Sequence, residues 1–155
     1  MATEIERKFL VKNELWRSQV VSETRIKQGY LSNNANASVR IRVGNGRAHL
    51  NIKSATIGIR RLEFEYEIPV EDAEMMLEGI AEKPFIDKTR YLVRWGDHTW
   101  ELDVFGGDNQ GLVVAELELV AEDESFLVPE WAGDEVSDDV RYYNVNLIKH
   151  PYTQW

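Results

Sequence analysis

Charged side chains recur in this chain as pairs two residues apart, and pairs of this kind can bind metal ions and phosphates. The pairs are Glu4 and Glu6 followed by Lys8, Arg40 and Arg42, Arg61 with Glu63 and Glu65, Lys88 and Arg90, Glu101 and Asp103, and Glu116 and Glu118. Carboxylate oxygens without cysteine or clustered histidine favour hard ions such as Mg2+ or Mn2+. Guanidinium and ammonium groups bind phosphate oxygens. Together the two sets predict a site in which a divalent ion and a chain of phosphates are held side by side.

Mostly apolar residues occupy the positions between these charges, with Arg7 and Thr89 as exceptions, which is the pattern of a β-strand with one charged face. Ile41 separates Arg40 from Arg42, and Leu117 separates Glu116 from Glu118. In an ordinary sheet the charged face would meet water, and an interior ladder of salt bridges could also keep such charges paired. Like charges held on one face repel unless something compensates them. Because six segments repeat the pattern, we favour a closed sheet whose charged faces surround a bound guest.

Eight segments with this alternation are predicted to be strands of an antiparallel β protein. They span residues 4–11, 25–31, 38–43, 47–53, 60–68, 88–95, 98–105 and 113–120. Asn45-Gly46 predicts a type I′ hairpin turn between two of them, because both residues adopt positive φ at low cost. Gly96-Asp97 predicts a second hairpin.

Helical periodicity is confined to short parts of the chain. A helix is predicted over 70–81, where Pro69 suits the start. Its apolar stripe, predicted to be core, consists of Ala73, Met76, Leu77 and Ile80. Residues 121–139 are acidic and broken by proline and glycine, which predicts a loop with a short helical turn, and 142–150 is a candidate terminal helix.

Composition narrows the class of protein. The 155 residues are 43% hydrophobic, enough for one domain over 1–155 with its own core, and the absence of cysteine excludes disulfides and thiolate metal sites. A net charge of −9 argues against nucleic-acid binding as the main task. The charged N-terminus lacks the apolar core of a signal peptide, and no apolar stretch is long enough for a membrane span. We therefore expect a soluble, cytoplasmic protein. A homodimer formed through an outer face is compatible with the sequence but not required by it.

The motifs, taken in order, resemble those of the CYTH or triphosphate tunnel metalloenzyme family, and most closely its short bacterial members that hydrolyse inorganic triphosphate. They are Glu4-Ile5-Glu6-Arg7-Lys8, Gln28-Gly29-Tyr30-Leu31, Arg40-x-Arg42, Lys53, Arg61-x-Glu63-x-Glu65, Lys88-Thr89-Arg90-Tyr91, Glu101-Leu102-Asp103-Val104-Phe105, Glu116-x-Glu118 and Arg141-Tyr142-x-Asn144. The resemblance covers nearly the whole chain. It implies a mainly β (α+β) fold, an eight-stranded antiparallel tunnel-like barrel with a few peripheral helices.

The resemblance also implies a role for each charged group around a triphosphate-bearing small molecule. The metal-side carboxylates, for Mg2+ or Mn2+, would be Glu4, Glu6, Asp103, Glu116 and Glu118. The phosphate-binding cations would be Lys8, Arg40, Arg42, Lys53 and Arg90, helped by Lys88, Arg61 and Arg141. Outer carboxylates that orient ligands or water would be Glu63, Glu65 and Glu101. The implied reaction is attack by an activated water on a terminal phosphorus, which yields diphosphate and phosphate.

Proton transfer has three candidates, Tyr30, Lys88 and Lys8. A phenol or an amine surrounded by cations can have its pKa lowered toward neutrality. Water activated by the metal could make such a base unnecessary, and Tyr30 could equally be an aromatic of the tunnel wall. The histidines are too dispersed to predict a metal site, and the five tryptophans are interpreted as packing groups.

Three other functions stay open at this stage. Within the same fold the chain could be an adenylyl cyclase of class IV type or a thiamine triphosphatase. No segment suggests a site for a nucleobase, which disfavours the cyclase. A polyphosphate-binding module without turnover is the third alternative, and the many carboxylates disfavour it, because capture of an anion does not require them.

Overall fold

Antiparallel strands dominate the computed structural model, which describes residues 2–34 and 36–155. The strands are β1 (Thr3–Val11), β2 (Val20–Asn33), β3 (Ala37–Gly44), β4 (Arg47–Ser54), β5 (Arg60–Ile68), β6 (Ile86–Trp95), β7 (His98–Phe105), β8 (Val113–Leu119) and β9 (Ala132–Glu135). The helices are α1 (Val70–Gly79) and α2 (Asn144–Lys149), with 3-10 turns at Leu15–Gln19, Gly107–Asn109, Val140–Tyr142 and Tyr152–Gln154.

Strands β1 to β8 close into a barrel. Around the barrel the order is β1, β5, β4, β3, β2, β6, β7, β8 and back to β1. The first residues of β1 pair with β5, while most of β1 pairs with β8 on its other edge. The predicted fold, an eight-stranded antiparallel barrel with peripheral helices, is confirmed.

The short strand β9 corrects the sequence-based expectation of a loop over 121–139. It pairs with the last part of β1, where Phe9 faces Glu135 and Val11 faces Ala132. The pairing joins residues more than 120 positions apart, so no local periodicity could signal it.

The predicted hairpin turns are present. Asn45 and Gly46 have φ of 55° and 72°, which joins β3 to β4, and Gly96 has φ of 62° between β6 and β7. The β3–β4 turn places Arg42 opposite His49 and Arg40 opposite Asn51. The turn chemistry thus sets which side chains share the inward face.

Helix α1 is shorter than the predicted 70–81. It ends at Gly79, and the amide of Ile80 donates to the carbonyl of Met76 as a cap. Ala73 and Leu77 are fully buried as expected, but Ile80 lies beyond the helix and is exposed. The terminal helix is likewise shorter than the predicted 142–150.

The main hydrophobic clusters lie outside the barrel wall. One cluster joins the outward residues of β1, β7 and β8 to Trp16 and Trp131, and another joins β3 and β4 to α1. Trp16, Trp100 and Trp131 are fully buried, which supports the prediction that they pack. Because the core covers the outer face, the inner face is free to carry charge.

One end of the barrel interior is apolar. Ile86, Phe105 and Val114 share the inward parity of the charged residues, and they pack against Leu147 and Ile148 of α2. Helix α2 therefore closes this end of the interior, and the charged part begins one step further along the strands.

The outward face of β5 exposes Leu62, Phe64 and Tyr66. The homodimer allowed by the sequence stays a prediction. Among the described residues, no helix is both long and apolar enough to cross a bilayer.

Candidate active site

The charged parity of the strands points into a cavity of about 290 Å³. Its charged lining comprises Glu4, Glu6, Lys8, Arg40, Arg42, Lys53, Arg61, Glu63, Glu65, Lys88, Arg90, Glu101, Glu116 and Glu118. Tyr30 lines the same cavity, together with Ser38, Thr56, Gly58, Ile59, Ser137, Tyr143, Asn144 and Val145. The structure thus brings together every predicted site residue except Asp103 and Arg141.

Strand order separates the two signs of charge around the wall. The adjacent strands β4, β3, β2 and β6 carry Lys53, Arg40, Arg42, Lys88 and Arg90, and we call this half the basic wall. The adjacent strands β7, β8, β1 and β5 carry Glu101, Glu116, Glu118, Glu4, Glu6, Glu63 and Glu65, and we call this half the acidic wall. Lys8 and Arg61 are the two cations on the acidic wall. An anion and a metal ion placed between the walls would each face the opposite charge.

Burial weakens the charge of several basic side chains. Lys88 is almost inaccessible, and its burial, together with neighbouring Arg90 and Arg42, lowers its pKa to about 7 although Asp103 opposes the shift. Burial and the nearby Arg40 and Arg61 lower the pKa of Lys53 to about 8. An anion in the cavity would favour the protonated forms of both amines.

Among the described residues, the buried Nε–H group of Arg40 has no hydrogen-bond acceptor. The Arg40 side chain is 6% exposed, and its nearest carboxylate, on Glu63, is 4.0 Å away. A buried unpaired donor costs about 1–3 kcal/mol, so Arg40 Nε is suited to an oxygen supplied by a ligand.

The acidic wall carries more negative charge than its neighbours compensate. Burial and the adjacent carboxylates of Glu116 and Glu4 raise the pKa of Glu6 well above its usual range. The pKa of Glu118 is also raised, by burial and by Glu4, Glu101 and Glu63. Burial alone would raise the pKa of Glu116, but Lys8, a hydrogen bond with Glu6, and the charges of Arg90 and Lys88 hold it well below the usual value, so Glu116 stays ionised.

This donor set fits a hard divalent cation. All donors are carboxylate oxygens, and Glu6 and Glu116 form an adjacent pair whose excess charge an ion would neutralise. Within the described part of the chain, no three Asp, Glu or His side chains already form a metal site. Mg2+ commonly uses one or two carboxylates and completes its shell with phosphate oxygens and water, so this arrangement is compatible with it.

Asp103 does not line the cavity, contrary to the expectation for a metal ligand. It is completely buried, accepts from Arg90 Nε at 2.8 Å and Nη2 at 3.0 Å, and lies 2.8 Å from Lys88 Nζ. Its oxygens are thus occupied by the two cations of β6. Burial alone would raise its pKa, but Arg90 and Lys88 lower it.

Arg141 also lies away from the cavity lining. Its guanidinium donates to Asp139, with Nη2 2.6 Å from Oδ2, and stacks over Trp155. The side chain is about half exposed. Arg141 belongs to the 3-10 turn before α2, where the local Asp139 partner holds it outside the barrel.

Two amides at the site had no role assigned from the sequence, although both stood in quoted motifs. Gln28 is fully buried on β2 and accepts from Arg42 Nε at 2.9 Å. Asn144, the first residue of α2, accepts from Lys88 Nζ at 2.7 Å. The alternation of Gln28 with Tyr30 on β2 was the available signal for the first, and no local pattern announced the second.

Comparison with known proteins matches nearly the whole chain. The model of the CYTH domain family matches residues 2–152. The inorganic triphosphatase of Acetivibrio thermocellus is 46% identical over 152 residues, which cover 98% of this chain and 97% of that protein. The inorganic triphosphatase of Nitrosomonas europaea is 36% identical over 149 residues, which cover 94% and 96% of the two chains. A crystal structure of an inorganic triphosphatase superposes with a TM-score of 0.69 at 34% identity, covering 96% of this chain and 95% of that one.

Proposed function

Because the chain belongs to the CYTH domain family, we propose that it is an inorganic triphosphatase, which hydrolyses triphosphate to diphosphate and orthophosphate. One observation carries the proposal for this site. A basic wall and an acidic wall face each other across one cavity. A cavity of about 290 Å³ lies at the small end of the range for ligand sites, which suits a short inorganic chain better than a nucleotide.

The basic wall would bind the phosphates. Arg40 would donate its unpaired Nε–H group to a phosphate oxygen, and Arg42, Lys53 and Arg90 would bind further oxygens along the chain. Lys8 and Arg61, on the acidic wall, would contact the substrate from the other side. Positioning the phosphates and neutralising their charge are the main requirements of phosphoryl transfer.

The acidic wall would hold the metal. Glu4, Glu6, Glu116 and Glu118 are the proposed ligands for Mg2+ or Mn2+, and Glu63, Glu65 and Glu101 would orient them or the water around them. A bound divalent ion supplies neutralisation of charge on the phosphoryl oxygens and activation of water. Asp103 is proposed instead to position Arg90 and Lys88, because its oxygens already accept from both. Arg141 has no part in this proposal.

Proton transfer is proposed to involve Lys88 Nζ. Its pKa of about 7 lets this nitrogen hold or release a proton near neutral pH. Asp103 and Asn144 occupy two of the three positions around the nitrogen, and the third is free for the cavity. Tyr30 and Lys8 line the same cavity and are the remaining candidates.

Phosphate release separates the alternatives. We expect turnover of triphosphate with Mg2+ or Mn2+, none with a chelator, and far lower rates with ATP or thiamine triphosphate. Glu4→Gln and Glu118→Gln should lower kcat by about 100-fold or more while the protein still binds triphosphate, because the basic wall is intact. The matched control is Glu67→Gln, an exposed residue of β5 that pairs with Arg47 outside the cavity lining. Full turnover in both wall variants would refute the metal role.

A further inference from the structure

Gln28 and Asn144 connect two cations of the basic wall, and the proposed function gives neither a task. Arg42 Nε donates to Gln28 Oε1 at 2.9 Å, and Gln28 Nε2 donates to Asn144 Oδ1 at 2.9 Å. Lys88 Nζ donates to the same Asn144 oxygen at 2.7 Å. A continuous chain of hydrogen bonds therefore runs from β3 through β2 and α2 to β6.

The chemistry of the two ends fixes the orientation of both amides. Arginine only donates, so Gln28 must turn its oxygen to Arg42, and its NH2 group then faces Asn144. Asn144 must present its oxygen, which Lys88 also requires. Reversal of either amide would set a donor against a donor. The chain of bonds thus has a single arrangement that satisfies all four groups.

The two connected side chains carry like charge and repel each other whenever Lys88 is protonated. Gln28 sits on β2 directly opposite Arg42 of β3, and β6, with Lys88, pairs with the other edge of β2. Arg42 and Lys88 both line the cavity, and Lys88 is 2% exposed, so water screens it little. Neutral amides with their oxygens toward each cation reduce this repulsion and hold the ammonium and the guanidinium at defined places.

We propose that Gln28 and Asn144 are positioning residues that act as one unit and set the separation of Arg42 and Lys88. This inference rests on the proposed function, since that separation would select the spacing of the phosphates which the basic wall accepts. Through Asn144, helix α2 has a second task beside closing the apolar end of the barrel. Docking of α2 completes the phosphate site.

Removal of either amide tests the unit. Gln28→Met and Asn144→Leu keep the approximate size of each side chain and delete its hydrogen bonds. We expect each to lower kcat/KM for triphosphate by roughly 10- to 100-fold, the cost of misplacing groups at a reacting centre. The double variant should be no worse than the more impaired single variant, because residues that act as a unit are not additive. The affinity for metal-free triphosphate, measured by calorimetry, should show the same non-additivity.

Asn146→Leu is the matched control on the same helix. Its amide donates to the carbonyl of Val140 at 2.8 Å, away from the cavity lining, so the variant also loses a hydrogen bond that holds α2. We expect the control to lose thermal stability but to keep kcat/KM within about twofold, since only a stability effect is removed. A purely structural role of Asn144 predicts equal behaviour of Asn144→Leu and Asn146→Leu.

Two results would overturn the inference. In the first, the losses of kcat/KM caused by Gln28→Met and Asn144→Leu multiply in the double variant. In the second, Asn144→Leu loses no more kcat/KM than the control Asn146→Leu. If Gln28→Met does not fold, the comparison of Asn144→Leu with Asn146→Leu decides alone. The triphosphatase function can fail separately. If the wild-type protein binds triphosphate without hydrolysing it, and the variants still show non-additive losses of affinity, the triphosphatase function is refuted and the positioning unit stands.

Discussion

At the scale of single residues, burial decides which charges the cavity can keep without a ligand. Lys88 Nζ contacts Asn144 and Asp103 and is almost inaccessible to solvent. Because burial disfavours the charged form, the pKa of Lys88 falls to about 7. Glu6, beside Glu116, moves in the opposite sense, because burial and a like charge favour its neutral form. The lowered pKa of Lys88 is compatible with an anionic ligand, and the raised pKa of Glu6 is compatible with a cationic one.

Binding of triphosphate should therefore be linked to proton uptake by Lys88. With a pKa of about 7, a substantial fraction of the Lys88 side chains is neutral at pH 7.5 in the free protein, and a bound polyanion raises that pKa. We expect the affinity for metal-free triphosphate to fall as pH rises through 7 to 8. Calorimetry in buffers of different ionisation enthalpy measures the uptake directly.

Lys88→Arg provides the comparison, since arginine stays protonated across this range. On binding triphosphate at pH 7.5, the variant should take up fewer protons than the wild type, because its side chain at this position is already charged in the free protein. The protonation of triphosphate itself contributes equally to both proteins and cancels in the difference. Equal uptake by the two proteins would show that Lys88 is already charged in the free state.

Glu6→Gln should stabilise the free protein while it removes activity. Since the folded pKa of Glu6 is raised, its ionisation opposes folding at neutral pH, and this cost disappears below the unfolded pKa. We expect the variant to melt higher than wild type at pH 7, by about 2–4 °C for each kcal/mol of relieved repulsion, and to melt equally at pH 4. Thermal denaturation at the two pH values checks the sign, and a lower melting temperature at pH 7 would contradict it.

At the scale of elements, the approach of α1 to the barrel depends on Gly29. A Cβ atom at Gly29 would lie 2.9 Å from Leu77 Cδ2 and 3.1 Å from Ala81 Cβ. Leu77 belongs to α1 and is fully buried. Its side chain therefore cannot move aside without disturbing the packing of α1 against β3 and β4. Gly29 also separates Gln28 from Tyr30, which links the seating of α1 to the position of inward side chains.

Gly29→Ala should accordingly lower the free energy of unfolding by about 1–3 kcal/mol through overpacking. Gly79→Ala, at the end of α1, is the control, because among residues 2–34 and 36–155, apart from its chain neighbours and the helix's own backbone, no atom lies within 4 Å of the added Cβ. We expect the control to be neutral or slightly stabilising, since alanine favours a helix more than glycine does. Urea denaturation measures both, and equal stability of the two variants would show that the contact at Gly29 relaxes freely.

At the scale of the whole molecule, the barrel reverses the usual placement of polarity. Apolar clusters cover the outside of the wall, beneath α1 and the segments that carry Trp16 and Trp131, and the interior holds the charges. The net charge of the chain is −9, yet one half of the interior is basic. The proposed polyanionic substrate would therefore be recognised by the local arrangement of charge rather than by the charge of the protein as a whole.

Ligands that neutralise both walls should stabilise the entire fold. Triphosphate with a non-reactive divalent ion such as Ca2+, at 100 times its Kd, should add about 2.7 kcal/mol and raise Tm by about 5–10 °C. Orthophosphate at the same concentration spans less of the basic wall and should give a smaller shift. Differential scanning fluorimetry measures the series, and a larger shift from orthophosphate than from triphosphate would contradict a site built for a chain of phosphates.

The local features of this protein can be predicted from short stretches of its sequence. Alternation along each strand placed Arg40 with Arg42, and Glu116 with Glu118, on one face, because successive side chains of a strand point to opposite sides. Positive φ at Asn45 and Gly46 produced the predicted hairpin, and the family resemblance supplied the barrel. These features depend on neighbours a few residues apart, which a sequence displays directly.

Contacts between residues distant in sequence became visible only in the folded protein. The order of strands around the barrel separated the acidic wall from the basic wall, and pairing across β6 and β7 buried Asp103 beneath Arg90 and Lys88. Arg141 donates to Asp139 outside the barrel. Gln28 donates to Asn144, which lies 116 positions further along the chain. The physical reason is that strand parity is a property of the local backbone, whereas the partner of an inward side chain is set by strand order and register.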